Sequence, residues 1–236
     1  MKKIIITGCS GSIGSYLINF YKKKNYKVIG IDQSSPEKKN FDFYKVDMSN
    51  EQKLKRIYKK IASKHKNINI LINSGGYIHN ELFLNLTKNF KTHEYKNWKK
   101  VIRNNLDLTF LNSKFYIDNF IKDFSNEKII INFSSINSQG IVGQSAYGAA
   151  KAAVEVFTKV LSKELASLNC RVACISPGYI KVKSTLKNVD KKNLEKIINT
   201  IPLKKLGSAR DIAYGVEYII KNKYFNGKVL NIDGGK

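Results

Sequence analysis

A doubly wound α/β fold, a parallel sheet of about seven strands with helices on both faces, is predicted by three features of the sequence. Short apolar runs alternate with segments of helical period from Lys3 to Ile232. The runs are nearly continuous in apolar residues rather than alternating, as strands buried on both faces require. Several end in small or polar residues, as strand ends that open onto a ligand crevice do.

The first βαβ unit comprises a strand over Lys3–Thr7, a glycine-rich turn, a helix over Ile13–Lys24 and a strand over Lys27–Ile31 that ends at Asp32. A third strand follows at Phe43–Val46, and a helix over Glu51–Lys64 aligns Leu54, Ile57, Tyr58 and Ile61 on one face. The strand at Ile68–Ile72 runs into Asn73-Ser74-Gly75-Gly76. A polar, aromatic-rich connection from Tyr77 to Tyr95 then precedes a long helix around Trp98–Ile121. Lys128–Phe133 is the fifth strand and stops at Ser134-Ser135; Ser145–Leu168 is a second long helix; Arg171–Ile175 is the sixth strand, closing on Ser176-Pro177-Gly178. A mobile-looking segment through Lys192, helices near Lys192–Thr200 and Ala209–Lys221, and a last strand at Lys228–Ile232 complete the chain. One domain over residues 1–236 is expected, since a single α/β sheet often fills this length.

A hydrophobic fraction of 42% with 25% charged residues excludes a disordered chain, and no run of residues reaches membrane-spanning length. The apolar start, Ile4 to Ile6, ends at once in Thr7-Gly8, which is too short for a secretory signal. The net charge of +24 raises nucleic acid, anionic membrane or an acidic protein as partners. The excess is nearly all lysine, however, spread over pairs such as Lys59-Lys60 and Lys99-Lys100; only Arg56, Arg103, Arg171 and Arg210 could offer bidentate recognition. A solvated basic surface is therefore expected, with no nucleic-acid or membrane partner. Three cysteines without a framework spacing point to a reducing, cytoplasmic compartment. Cys170 and Cys174, about 13 Å apart along a strand, are expected as core residues. His65, His79 and His93 lack metal-ligand spacing, so no metal is expected.

The chemistry gathers at the carboxyl ends of the strands. Gly8, Ser10, Ser12, Ile13 and Gly14 join the first strand to its helix, where small residues let backbone amides and a helix N-terminus approach a pyrophosphate. Asp32 is suited to accept from an adenosine ribose and to repel a 2′-phosphate, which favours NAD(H), with NADP(H) as the alternative. Asp47 either holds an adenine amino group or caps the next turn. Tyr147 and Lys151, four apart on one helix, share a face, and an ammonium there would stabilise the phenolate of a phenol with an ordinary pKa of about 10.

These residues together resemble the short-chain dehydrogenase/reductase family, in its short single-domain branch and most of all its 3-oxoacyl-carrier-protein reductases. The resemblance runs from Thr7 to Gly235. Within it, Asp47-Met48 is similar to the adenine-contacting turn, Asn73 and Gly75 to the Asn-Asn-Ala-Gly strand end, and Pro177, Gly178 and Ile180 to the turn that faces the nicotinamide. Asp211-Ile212-Ala213 and Asp233-Gly234-Gly235 resemble the C-terminal signature. The resemblance implies hydride transfer between NAD(P) and a carbonyl or secondary alcohol, with Tyr147 as general acid/base. It implies that Lys151 lowers the phenol's pKa and binds the nicotinamide ribose, that a serine steadies the oxyanion, and that Asn105 supports a proton relay. Ser134 and Ser135 both have a tolerable spacing to Tyr147; Ser135 is chosen as the member of the family's Ser-Ser pair that faces substrate. A homodimer or homotetramer through the helices around Trp98–Ile121 and Ser145–Leu168 is also implied.

The sequence departs from the family pattern in places. Ser12 stands where the loop's middle glycine is usual, leaving Gly8, Gly11 and Gly14 at the spacing of the sugar-nucleotide branch. Ser74 replaces an asparagine and Val182 a threonine. A nucleotide-sugar epimerase or dehydratase, and a non-catalytic dinucleotide- or nucleic-acid-binding protein, are therefore the alternative readings. The Tyr77–Tyr95 connection, with His79, Phe83, Phe90 and His93, either shapes a site for a carrier-linked, sugar-linked or aromatic substrate or is a surface loop over a few buried aromatics.

Overall fold

Valine- and isoleucine-rich runs with no polar side to turn to solvent can be satisfied only inside a sheet covered twice, and that is how the chain folds. The computed structural model describes residues 1–37, 40–87, 89–121, 124–182 and 191–236. Seven strands, β1 (Lys3–Thr7), β2 (Lys27–Asp32), β3 (Asp42–Lys45), β4 (Ile70–Asn73), β7 (Lys128–Phe133), β8 (Cys170–Pro177) and β9 (Val229–Ile232), form one sheet in the order β3-β2-β1-β4-β7-β8-β9. Every pairing in it is parallel. The strand order reverses between β1 and β4, and a crevice opens outside their carboxyl ends at such a switch point.

Helices α1 (Ser12–Lys23), α2 (Glu51–Lys64), α3 (Tyr95–Ile102), α4 (Leu108–Phe120), α5 (Ser145–Glu164), α6 (Lys191–Thr200) and α7 (Ala209–Lys221) connect the strands. One apolar core holds Tyr58, Phe115, Tyr116 and Leu161 from α2, α4 and α5 against Ile5, Leu71 and Ile130; the other holds Leu17, Ile212 and Val216 from α1 and α7 against Ile6, Ile72 and Ile175. The two sets are the alternate residues of the same strands. Cys9, Cys170 and Cys174 are free and buried. Among the described residues no helix is long and apolar enough to cross a membrane.

Three differences from the sequence reading concern the site. The helix expected around Trp98–Ile121 is not continuous: a π-helical turn at Arg103–Asp107 separates α3 from α4. The connection after Gly76 contains a small antiparallel hairpin, β5 (Leu84–Asn85) with β6 (Lys91–Thr92). The second long helix ends at Glu164, and a 3₁₀ turn covers Ala166–Leu168. Most of the segment expected to be mobile, residues 183–190, lies outside the described residues.

Candidate active site

Gly8 leaves β1 with φ +67°, a conformation that L side chains rarely adopt, and a Cβ there would sit 2.5 Å from Gly75 Cα. Gly14 is equally constrained: its Cβ would fall 2.2 Å from the Gly8 carbonyl oxygen. Gly11 caps α1 without a side-chain hydrogen bond, so the amides of Ser12, Ile13 and Gly14 face the crevice as a helix N-terminus free of a side-chain cap, with no acidic residue in its first turn. Ser12 in place of a glycine costs nothing here, because it is the first helical residue and its side chain lines the cleft.

Asp32 ends β2, 8% exposed, with one carboxylate oxygen accepting from the Ser10 amide and the other from the Ser34 amide, each at 2.9 Å. Asp32 lines a cleft of about 1010 Å³ together with Ser10, Asp47, Met48 and Gly75. Asp47 accepts from the Ser49 amide at 2.9 Å and the Ser49 hydroxyl at 2.6 Å, bonds that hold its carboxyl below the usual range. Lys96, Lys99, Lys100 and Arg103, on α3 and the π turn, line the same cleft. Lys99 and Lys100, read from sequence as solvated, bring positive charge to this cleft with their ammonium groups over the Tyr95 and Tyr77 rings, at 4.7 Å and 4.6 Å. The signal was their position ahead of Asn105, which charge counting ignores.

Asn73 differs from its expected place beside a cofactor. Its amide nitrogen donates to Ser113 Oγ at 3.1 Å and Asn132 Oδ1 at 2.9 Å, tying β4 to α4 and β7 behind the cleft wall. Gly75 and Ser74, the residues that follow, form the wall itself, with Ser74 Oγ donating to the Thr7 carbonyl at 2.6 Å.

The adjoining cleft, of about 590 Å³, gathers Ser135, Tyr147, Lys151, Pro177, Gly178 and Ile180. Ser134 and Ser135 part company here. Ser134 Oγ donates to Glu155 on α5 at 2.6 Å, whereas the Ser135 hydroxyl meets Tyr147 and accepts from the Asn137 amide at 3.2 Å. Tyr147 is 7% exposed and Lys151 3%. Lys151 Nζ donates to the Phe133 carbonyl at 2.8 Å and lies 5.5 Å from the Tyr147 ring centre.

The phenol of this pair is not acidified. Burial pushes Tyr147 up to about 12, opposed by the Ser135 hydrogen bond, and burial brings Lys151 down to about 8. Desolvation dominates both shifts, because each side chain is almost wholly removed from water.

Asn105 is fully buried on the π turn. Its amide nitrogen donates to the carbonyls of Tyr77 at 2.7 Å and Val101 at 2.9 Å, and its oxygen accepts from the Tyr77 amide at 3.3 Å. A Cβ on Gly76 would lie 2.8 Å from Asn105 Oδ1 and 3.5 Å from Lys151 Nζ, so the strand end passes between those two side chains only as glycine. Beyond β8, the Gly178 amide donates to the Ile232 carbonyl at 2.9 Å, and Ile180 bridges to Gly207. The C-terminal glycine-rich segment thus supports the turn facing the cleft. Asn137 and Gln144, which line this cleft, were not singled out from sequence.

A cradle closed to any Cβ at Gly8 and Gly14, a helix N-terminus free of a side-chain cap and a strand-end carboxylate suit a dinucleotide with a free adenosine ribose, NAD(H). Comparisons with known proteins agree. A family model described as enoyl-(acyl carrier protein) reductase matches residues 12–236. The 3-oxoacyl-(acyl-carrier-protein) reductase of Buchnera aphidicola subsp. Baizongia pistaciae is 32% identical over 246 residues, 99% of this chain and 97% of that protein. Among solved structures, a short chain dehydrogenase from Leptospira borgpetersenii with bound NAD+ superposes with TM-score 0.88 at 29% identity, covering 99% of this chain and 92% of that one. A 4-hydroxyisoleucine dehydrogenase complexed with NADH superposes with TM-score 0.85 at 26% identity, covering 100% and 98%.

Proposed function

The chain belongs to the short-chain dehydrogenase/reductase family and is an NAD(P)-dependent oxidoreductase, and on that premise we propose that Ser135, Tyr147, Lys151 and Asn105 interconvert a carbonyl and a secondary alcohol within one domain. The observation that carries the assignment is the gathering of Ser135, Tyr147 and Lys151 in the cleft that Gly14, Pro177 and Gly178 also line. The nicotinamide, when bound, supplies or receives the hydride.

In the reducing direction Tyr147 gives its phenolic proton to the substrate oxygen, while Ser135, whose Oγ is held from behind by the Asn137 amide, donates to the same oxygen. As the phenol loses its proton, the Lys151 ammonium beside the ring stabilises the phenolate. Asn105 acts as a positioning residue: its grip on Tyr77 holds Gly76 against Lys151 and supports the relay that returns the proton. Ser10, Ser12, Ile13 and Gly14 take the pyrophosphate, Asp32 the adenosine ribose, Asp47 and Met48 the adenine, and Pro177, Gly178 and Ile180 the nicotinamide.

A homodimer or homotetramer forms through α4 and α5 in this reading, supported by Phe110, Val156 and Val160, all close to half exposed or more on those helices. A carrier-linked 3-oxoacyl substrate is suggested by the similarity to the Buchnera reductase. A smaller polar or sugar-linked substrate is favoured by the cleft lining, where Asn80, Asn137 and Gln144 accompany Ile136 and Tyr179.

The test is NADH oxidation over a panel of carbonyl compounds with wild type and Tyr147→Phe. The variant should keep its NADH affinity by fluorescence titration and lose about 10²–10⁴ in kcat. Undiminished turnover by the variant would overturn the assignment.

A further inference from the structure

Resting on the oxidoreductase reading, we propose that Glu81 is a positioning residue for Tyr147, tying the connection after β4 to both α3 and the start of α5. Tyr147 is the third residue of α5, in the turn of a helix whose amides have no partner within the helix. Among the described residues Gln144, at the N-cap, receives no side-chain cap bond, and the first turn holds no acidic residue to offset the dipole. The chain reaches that turn through Gly143, at φ +80°, with Val142 87% exposed. A phenol on so lightly held a turn depends on support from outside its helix. The Asn137 amide holds the Gln144 side chain, and further support comes from the connection between β4 and α3.

That support runs through Glu81. Its backbone amide donates to the Gly143 carbonyl at 2.8 Å, two residues ahead of α5, and Leu82 packs beside the same glycine. Its carboxylate oxygen Oε2 accepts from Asn97 Nδ2, on α3, at 2.9 Å, and lies 3.2 Å from His79 Nε2 and 3.5 Å from His93 Nε2. His93, its side chain 5% exposed, comes at Nδ1 to 3.5 Å from Ser145 Oγ on the first residue of α5. Glu81 thus links α3, through its side chain, with the approach to α5, through its backbone.

The two helices so linked share a small apolar cluster: Trp98 and Val101 from α3, Ala146 and Tyr147 from α5, and Tyr77 at the head of the connection. The place of the Tyr147 ring is therefore set by how closely α3 and the first turn of α5 are held together, and Glu81 joins the two. A carboxylate suits this junction because one of its oxygens serves several donors, and a charge-assisted bond is about twice as strong as a neutral one. The Tyr77–Tyr95 connection, open from sequence between a substrate site and a surface loop, in this proposal braces the general acid.

The experiment reads the position of Tyr147 and the reaction separately. In protein carrying 3-fluorotyrosine, the fluorine resonance that Tyr147→Phe removes reports on the phenol without any substrate. Glu81→Ala and Asn97→Ala should each shift or broaden that resonance. With the member of the carbonyl panel that wild type reduces fastest, both should lower kcat about 10–100-fold at unchanged NADH affinity. The double variant should be no worse than Glu81→Ala alone, since the two side chains act through one bond. Glu81→Gln, which keeps an oxygen for Asn97 without the charge, should recover about half of the loss or more on a logarithmic scale. Thermal melts show which variants are folded, and either folded alanine variant decides. A Tyr147 resonance unmoved in the folded variants, or an unchanged kcat, overturns the proposal, and the oxidoreductase reading then stands as long as turnover depends on Tyr147. If wild type reduces no member of the panel with NADH or NADPH, both fall together.

Discussion

Replacing Lys151 by methionine should make the ligand-free protein more stable while removing its activity. The side chain is 3% exposed and burial holds its pKa at about 8 against an ordinary 10.5. That gap corresponds to about 3 kcal/mol of destabilisation at pH 7. Methionine fills similar volume without the charge but leaves the Phe133 carbonyl without its 2.8 Å donor, a loss of about 1 kcal/mol. The variant should therefore gain about 2 kcal/mol at pH 7.

The sign of the pH dependence follows from the depressed pKa. Between about 8 and 10.5 the unfolded chain binds more protons at this lysine than the folded one, so wild-type stability rises with pH through that window. Below about 8 the full penalty persists. The variant lacks the rise, and its advantage should vanish by about pH 10. Tyr147, raised to about 12, makes stability fall above about pH 10 in both proteins and cancels from the difference. Urea unfolding of both proteins at pH 7 and pH 10, without cofactor, measures the two gaps. A variant less stable than wild type at pH 7, or a gap identical at both values, contradicts the account of Lys151 as a buried, costly cation.

Other substitutions probe the cofactor cleft and the helix faces. Gly14→Ala drives a Cβ to within 2.2 Å of the Gly8 carbonyl oxygen, so NADH affinity by fluorescence titration should fall at least tenfold, about 1.4 kcal/mol, with the far-ultraviolet circular dichroism unchanged. Asp32→Ala removes the carboxylate expected to repel a 2′-phosphate, and the NADPH-to-NADH affinity ratio should shift toward NADPH by about tenfold or more; an unchanged ratio would place cofactor choice elsewhere. Val160→Glu sets a carboxylate on a face of α5 that is 46% exposed at that residue. Sedimentation should show a smaller assembly for this variant than for wild type if α4 and α5 form the subunit contact.

The parts of this protein legible in its sequence are those written in local spacing. β1, α1 and β2 form where the apolar periods change from strand to helix and back, and Gly8 and Gly14 mark positions with no room for a side chain. Tyr147 and Lys151 share a helix face because they are four residues apart, whatever surrounds them. The π turn at Arg103–Asp107 has no such signature: it swings Asn105 onto the backbone of Tyr77, a contact 28 residues distant in the chain. The choice between Ser134 and Ser135 likewise turns on which hydroxyl meets Glu155 and which meets Tyr147, which twelve or thirteen residues of spacing do not distinguish.

The charge states of Tyr147 and Lys151 follow the same division. Local spacing made them partners, and that part required only the helix. The direction of their pKa shifts depends on how completely the sheet and its neighbouring helices exclude water, a property of packing among residues far apart in the chain. Desolvation is collective, so it overrode the pairwise attraction that adjacency on one helix suggested.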